Sequence, residues 1–283
     1  MEDGARRKLI FDGGFIVFKD VPSMKTLCDL ADSMARDAFG GDFHPSEAHK
    51  YFEASEFVGI VEPLQRKFTN DETAKELFRS ALDECGLDLS RTYWDWFPLR
   101  IQPGEKSHDS MSTTGLHAHR DSWYSNMHAQ SNWWAPIYPL EAERAVAFHP
   151  IYFDRPIPNN SEGWNLQQFR AARAEVRARN GSSDEVRNAY PAIAPTEPID
   201  TSSELVFVIE PGDLLNFSLA HLHESVPNTT DRARFSTEIR TIHLDDVMAG
   251  IGAPNVDGRS TGDAFEDFFG MTDNQSIVDA MRL

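Results

Sequence analysis

The chain is 283 residues long, 40% hydrophobic and 25% charged, with six tryptophans, a make-up ordinary for one globular enzyme domain over 1–283. Its formal net charge of −18 argues against nucleic acid or an anionic membrane surface as partner, because phosphate recognition relies on clustered Lys and Arg. No stretch approaches the roughly 20 continuous apolar residues that span a bilayer, and the N-terminus lacks the apolar run of a signal peptide. The two cysteines, Cys28 and Cys85, lie in helical patterns rather than in a Cys-x-x-Cys clamp, so reduced thiols and a cytoplasmic location are expected.

Residues 8–18 read as a β-rich entry around Gly13-Gly14. Ser23 is read as the cap of a helix over 23–39 that Gly40-Gly41 ends. Residues 44–64 read as helical in part, and Asn70-Asp71 starts a helix over 72–85 that Gly86 stops. Residues 1–91 are thus a helical support whose apolar stripes back a sheet. From Thr92 the pattern turns to strands, and 92–244 read as the core. Strands are expected over 93–102, 116–124, 131–138, 144–151, 205–209, 213–222 and 235–244, with a polar loop over 108–115. A run rich in Gln, Arg, Ala and Glu over 164–180 predicts a helical insert that roofs the site. Residues 245–283 form a C-terminal extension, rich in Gly and Asp at first and ending with a short helix.

Within a strand, residues i and i+2 face one way, so His117, His119 and Asp121 share a face. His119 is preferred over His117 because it alone completes a His-x-Asp. His221 and His223 share a face in the same manner, and the turn Glu210-Pro211-Gly212-Asp213 with its spacing favours His223. His117 and His221 stay open as replacements. Two imidazoles and one carboxylate are the ligand set of a non-haem Fe(II) oxygenase site, which takes one octahedral face and leaves other positions open. Arg234-Phe235-Ser236 then presents a guanidinium and a hydroxyl on one face of the next strand. That pair suits the far carboxylate of a dicarboxylic acid that chelates the metal at its other end.

The ordered set His119-x-Asp121 and Gly212-Asp213-x9-His223-x10-Arg234-x-Ser236 resembles the Fe(II)- and 2-oxoglutarate-dependent dioxygenases, nearest to the phytanoyl-CoA-dioxygenase-like branch, over about residues 93–243. The resemblance implies a mainly β fold with flanking helices, a double-stranded β-helix or cupin-like jelly roll. It implies Fe(II) on His119, Asp121 and His223, 2-oxoglutarate held at its 5-carboxylate by Arg234 and Ser236, and O2 as co-reactant. The implied activity is oxidation of a C–H bond of a small metabolite, an amino acid or natural-product intermediate, by hydroxylation, desaturation or oxidative cyclisation. Asn132, on the strand after the ligands, is a candidate to donate its amide to the 2-oxoglutarate carboxylate. Trp123, two residues past Asp121, and Trp133 are candidates to wall the substrate. Arg100, Arg144 and Arg155 are candidates for a substrate carboxylate. His149, without a matching acidic neighbour, and His243, too far past the Arg-x-Ser, are not read as ligands. Two other readings stay open: a cupin-like metalloenzyme that does not use 2-oxoglutarate and needs no buried anchor at Arg234, and a non-catalytic small-molecule binding protein.

Overall fold

Strand β9 (Arg234–His243), ten residues long, organises the molecule. On one side it pairs antiparallel with β4 (Gln130–Pro136) along the whole of that strand. On the other side its first half pairs with β3 (Leu99–Gln102) and its second half with β2 (Thr92–Trp94). Beyond β4 lie β7 (Leu214–Ser218) and β1 (Ile16–Phe18), and beyond β2 lies β10 (Phe269–Gly270), which completes a seven-stranded sheet. In a second sheet of three strands, β5 (Val146–Phe148) sits between β6 (Leu205–Phe207) and β8 (His223–Ser225). The computed structural model describes residues 1–95, 98–104, 117–179, 186 and 189–282.

Period-two alternation sorts the side chains of β4 and β9 into two cores. Trp133, Phe235 and Ile239 face a helix layer of α2 (Pro22–Phe39), α3 (Ala54–Asn70) and α4 (Glu72–Glu84), where they join Leu27, Phe57, Phe68 and Phe78. Trp134 takes the opposite face and meets Leu215, Phe217, Val146 and Phe148 between the sheets. Each fully buried Phe or Leu of these layers contributes about 1.5–3 kcal/mol relative to exposure.

Local signals explain the helix boundaries. Pro22 opens α2 and Gly40, at φ +62°, closes it; the Asp71 side chain caps α4 by accepting from the Ala74 amide at 2.9 Å. Ser23 does not cap α2. Its amide and hydroxyl both donate to the Glu84 carboxylate, which ties the start of α2 to the end of α4. Gly212, at φ +95°, makes the turn into β7, where a Cβ would collide with the Lys25 side chain. The next residue, Asp213, accepts from the amides of Asp20 and Glu210 and from Lys19, so the Gly-Asp pair closes the turn and pins it to the chain leaving β1.

Several elements differ from those read in the sequence. Residues 8–11 are the end of helix α1 (Asp3–Phe11) rather than strand, because Asp3 pairs with Arg6 and Arg7 one turn on. Arg6, buried, reaches over the Trp133 ring to Asn216 Oδ1 at 2.8 Å and fixes α1 to the sheet. From the expected β-rich entry only β1 is extended. The strand expected over 116–124 is absent among the described residues: His119 makes a single bridge to His223, and Asp121–Trp123 is a 3-10 turn. The strand expected over 213–222 stops at Ser218, and a turn precedes β8. The helical insert is α5 (Leu166–Ala178), and the expected loop over 108–115 lies outside the described residues. No helix among the described residues is long and apolar enough to cross a membrane.

Candidate active site

His119 and His223 exchange two backbone hydrogen bonds, each 2.9 Å, so their side chains stand side by side with ring centroids 4.4 Å apart. The 3-10 turn that follows swings Asp121 back toward them, and its Oδ1 lies 3.5 Å from His119 Nε2. One ligand atom from each of His119, Asp121 and His223 lies within 4.8 Å of the others. Phe148 and Phe217 pack against the His223 ring and hold it in place.

The hydrogen bonds behind these side chains decide which atoms are free. His119 Nδ1 donates to the His117 carbonyl at 2.8 Å, and His223 Nδ1 donates to the His221 carbonyl at 2.9 Å. A carbonyl only accepts, so both Nδ1 atoms carry hydrogen, and in that tautomer a neutral ring presents its Nε2 lone pair. Asp121 Oδ2 accepts from Asn132 Nδ2 at 2.6 Å and from Gln130 Nε2 at 3.1 Å, which leaves Oδ1 facing the imidazoles. Such outer partners orient metal ligands. Burial would raise the Asp121 carboxyl, but a proton taken up by His119 or His223, donated as a hydrogen bond or acting as charge, together with the Arg240 guanidinium outweighs it and holds the group well below the usual carboxylate range. Burial, with His119 adding to it, pushes His223 down to about 4, so its ring is neutral at pH 7.

These groups open on a cavity of about 230 Å³. A smaller pocket of about 30 Å³ shares Arg100, His119, His223 and Glu238 with it and adds Ser225 and Arg234. Arg234 is buried; its Nη1 donates to the Ala145 carbonyl and its Nη2 to Ser225 Oγ, each at 3.0 Å. Among the described residues Arg234 Nε and Ser236 Oγ are buried with no partner, and buried donors are rarely left so. Burial and the neighbouring Arg100 push Arg234 down to about 10, still charged at pH 7.

The remaining expectations divide. Arg100 lines the cavity and pairs with Glu238. Asn132 also lines it, but its amide is engaged by Asp121 and its oxygen by Gln130. Trp123 does not wall the cavity, because the 3-10 turn breaks the strand alternation that put it beside Asp121; its fully buried indole donates to Asp257 at 2.6 Å. Trp133 borders the cavity, but its ring packs with the helix layer and its Nε1 donates to Thr241. Arg144 is a structural staple away from the cavity, its guanidinium bonded to Glu141, the Ala233 carbonyl and the Pro139 carbonyl. Arg155 lies over the Tyr152 ring.

His117 is exposed and His221 turns to Ser218 and the Gly13 carbonyl, so neither joins the cluster. His149 does have an acidic neighbour, with Nε2 2.8 Å from Glu224 Oε1; together with Glu204 they form a second group of close ligand atoms. The sequence reading missed Glu238 and Arg240, which continue the inward face of β9 past Arg234 and Ser236, and it missed Tyr124, Trp134 and Phe217. The same i, i+2 rule applied two steps further along β9 finds the first two.

Neither a family model nor a curated protein matches the sequence. Among solved structures the chain is similar to a non-heme monooxygenase, ThoJ, in its apo form, at 14% identity, covering 91% of this chain and 87% of that one, with a TM-score of 0.46. It is similar to EvdO2 from Micromonospora carbonacea var. aurantiaca complexed with 2-oxoglutarate, at 15% identity, covering 84% of this chain and 90% of that one, with a TM-score of 0.47. It is also similar to the epimerase SnoN in complex with Fe3+, alpha ketoglutarate and nogalamycin RO, at 12% identity, covering 86% and 85%, with a TM-score of 0.45. At these identities and TM-scores the likenesses add no weight to the site, which stands on its own side chains.

Proposed function

We propose that the chain is a non-haem Fe(II)- and 2-oxoglutarate-dependent oxygenase of the phytanoyl-CoA-dioxygenase-like branch, built as one domain on a double-stranded β-helix. His119, Asp121 and His223 would hold the iron, and Arg234 with Ser236 would hold the distal carboxylate of the keto acid. One observation carries this reading: two adjoining pockets share His119 and His223, the first adding Asp121 so that three metal-binding atoms converge, the second adding Arg234, whose buried Nε has no partner among the described residues. Two nitrogens and one oxygen with free lone pairs suit a ferrous ion with open positions. A cupin-like enzyme that does not use 2-oxoglutarate gives no reason for the partnerless Arg234 Nε and Ser236 Oγ.

When bound, ferrous iron and 2-oxoglutarate supply the oxidising chemistry, in which O2 is consumed, the keto acid leaves as succinate and CO2, and a substrate C–H bond is oxidised. The residues of this chain position and shield. Asn132 and Gln130 fix the Asp121 carboxylate so that one oxygen stays turned to the ion. Trp134 and Phe217 form an apolar wall that excludes water beside it. A cavity of about 230 Å³ suits a small metabolite, an amino acid or natural-product intermediate, for hydroxylation, desaturation or oxidative cyclisation.

Anaerobic addition of Fe(II) and 2-oxoglutarate to the purified protein tests the reading. A weak visible charge-transfer band that needs both components is expected. Its absence in folded protein overturns the proposal.

A further inference from the structure

The anchor at Arg234 is already partly engaged by the protein. Arg captures a carboxylate best through two parallel N–H groups, yet both Nη atoms of Arg234 already donate to Ala145 O and Ser225 Oγ. Each Nη keeps a second N–H, and Nε has no partner among the described residues. Across the β3–β9 ladder, Arg100 stands directly opposite Ser236, so its side chain rises from the same face beside the Ser236 hydroxyl. Arg100 Nε is likewise buried with no partner, while its Nη2 is engaged by Glu238. Three unpaired donors, Arg234 Nε, Ser236 Oγ and Arg100 Nε, therefore occupy neighbouring positions on two paired strands.

We propose that Arg100 is the second guanidinium of the distal-carboxylate cradle, so that a dicarboxylic 2-oxo acid is held by both arginines and Ser236 together. This rests on the 2-oxoglutarate reading above and adds a residue to it. Glu238 explains how two guanidiniums stand close before the anion arrives: it pairs with Arg100, offsets one of the two charges, and fixes the guanidinium with its Nε side unengaged. Arg100 thereby acts on cosubstrate choice, favouring keto acids with a second carboxylate over those without one. The substrate carboxylate role suggested for Arg100 by its place in the sequence is replaced by this one.

The test is anaerobic calorimetric titration of Fe(II)-loaded protein with 2-oxoglutarate and, separately, with pyruvate, which lacks the distal carboxylate. Arg100→Gln is expected to weaken 2-oxoglutarate binding by about tenfold or more, the effect of losing one charge-assisted hydrogen bond, and to leave pyruvate binding unchanged. Arg100→Lys, which keeps the charge and loses the planar donor, is expected to fall between wild type and Arg100→Gln, and it stands in if the Gln variant does not fold. Unchanged 2-oxoglutarate binding in these variants, or an equal loss for both keto acids, overturns the assignment. Arg234→Gln separates the two levels: if it weakens 2-oxoglutarate while Arg100→Gln does not, only the second arginine is wrong. If wild type binds no 2-oxoglutarate, the oxygenase reading and this inference fall together.

Discussion

The two ends of the cavity are built on opposite principles. At the His119, Asp121 and His223 end, every hydrogen bond found turns a donor away or saturates the far side of a ligand, and what remains facing inward is lone pairs. At the Arg234 end, buried N–H and O–H stand without an acceptor among the described residues. Under the proposed function the first end would take a cation and the second an anion. Buried groups in either condition cost stability unless a ligand completes them, so the contrast is a statement about the shape and charge of what binds.

Four measurements sharpen or break this contrast. The largest effect is expected from His223→Ala or Asp121→Ala, each lowering Fe(II) affinity by more than about a hundredfold, beyond the roughly 10–100-fold typical of an outer partner. His117→Ala, at an exposed residue with its carbonyl retained, leaves the affinity unchanged. Equilibrium dialysis decides, and equal losses at 117 and 223 would erase the distinction drawn between them.

Acid should act on the cation-seeking end through its buried rings. His223 is pushed down to about 4 by burial and by His119, and His221 to about 4 by burial, from 6.5. In that window the unfolded chain binds protons that the folded chain refuses. Stability of the metal-free protein is therefore complete above about pH 6.5 and declines as the pH falls toward about 4. Calorimetric Tm against pH measures this, and a Tm that does not move across the window contradicts it.

Asn132→Ala is next, with a loss of about 10–100-fold in metal affinity because Asp121 is no longer aimed. Unaltered Fe(II) binding would mean that the Asn132 contact orients nothing. Smallest is Ser236→Ala, where one hydrogen bond worth about 0.5–1.5 kcal/mol disappears from the anion end. Keto-acid affinity falls a few-fold, Fe(II) affinity holds, and Tm is not lowered because the hydroxyl had no partner to lose. A drop in Tm would show that Ser236 serves the fold instead.

Much of the site was legible because metal and carboxylate chemistry restrict residue types as well as spacing. His119 and Asp121 are read from the rule that i and i+2 share a face, and His223 from its spacing after Gly212-Asp213, yet the local structure is a one-residue bridge followed by a 3-10 turn. The rule named two side chains that do converge, but for the wrong backbone, and the same error misplaced Trp123. On β9 the backbone is a true strand, so Arg234 and Ser236 point as expected and Glu238 and Arg240 were there to be read. The role of Arg144 was hidden because its partners are two carbonyls and Glu141, contacts that depend on tertiary structure and leave no trace in spacing. Helices α2 and α4 were readable from Gly40, Asp71 and their apolar periods, whereas α1 was mistaken for strand because its support comes from Asp3 and from Arg6 reaching a remote sheet.

The bridge between His119 and His223 has a consequence for selectivity among ions. Their backbones are clasped in both directions and their rings are each tethered at Nδ1, so in the proposed site these two side chains would lose little conformational entropy when an ion is captured. Asp121, the third side chain of the proposed set, is carried outside that clasp. Adjustment to ions of different radius therefore falls on a single carboxylate arm, steered by the two amides that grip its far oxygen.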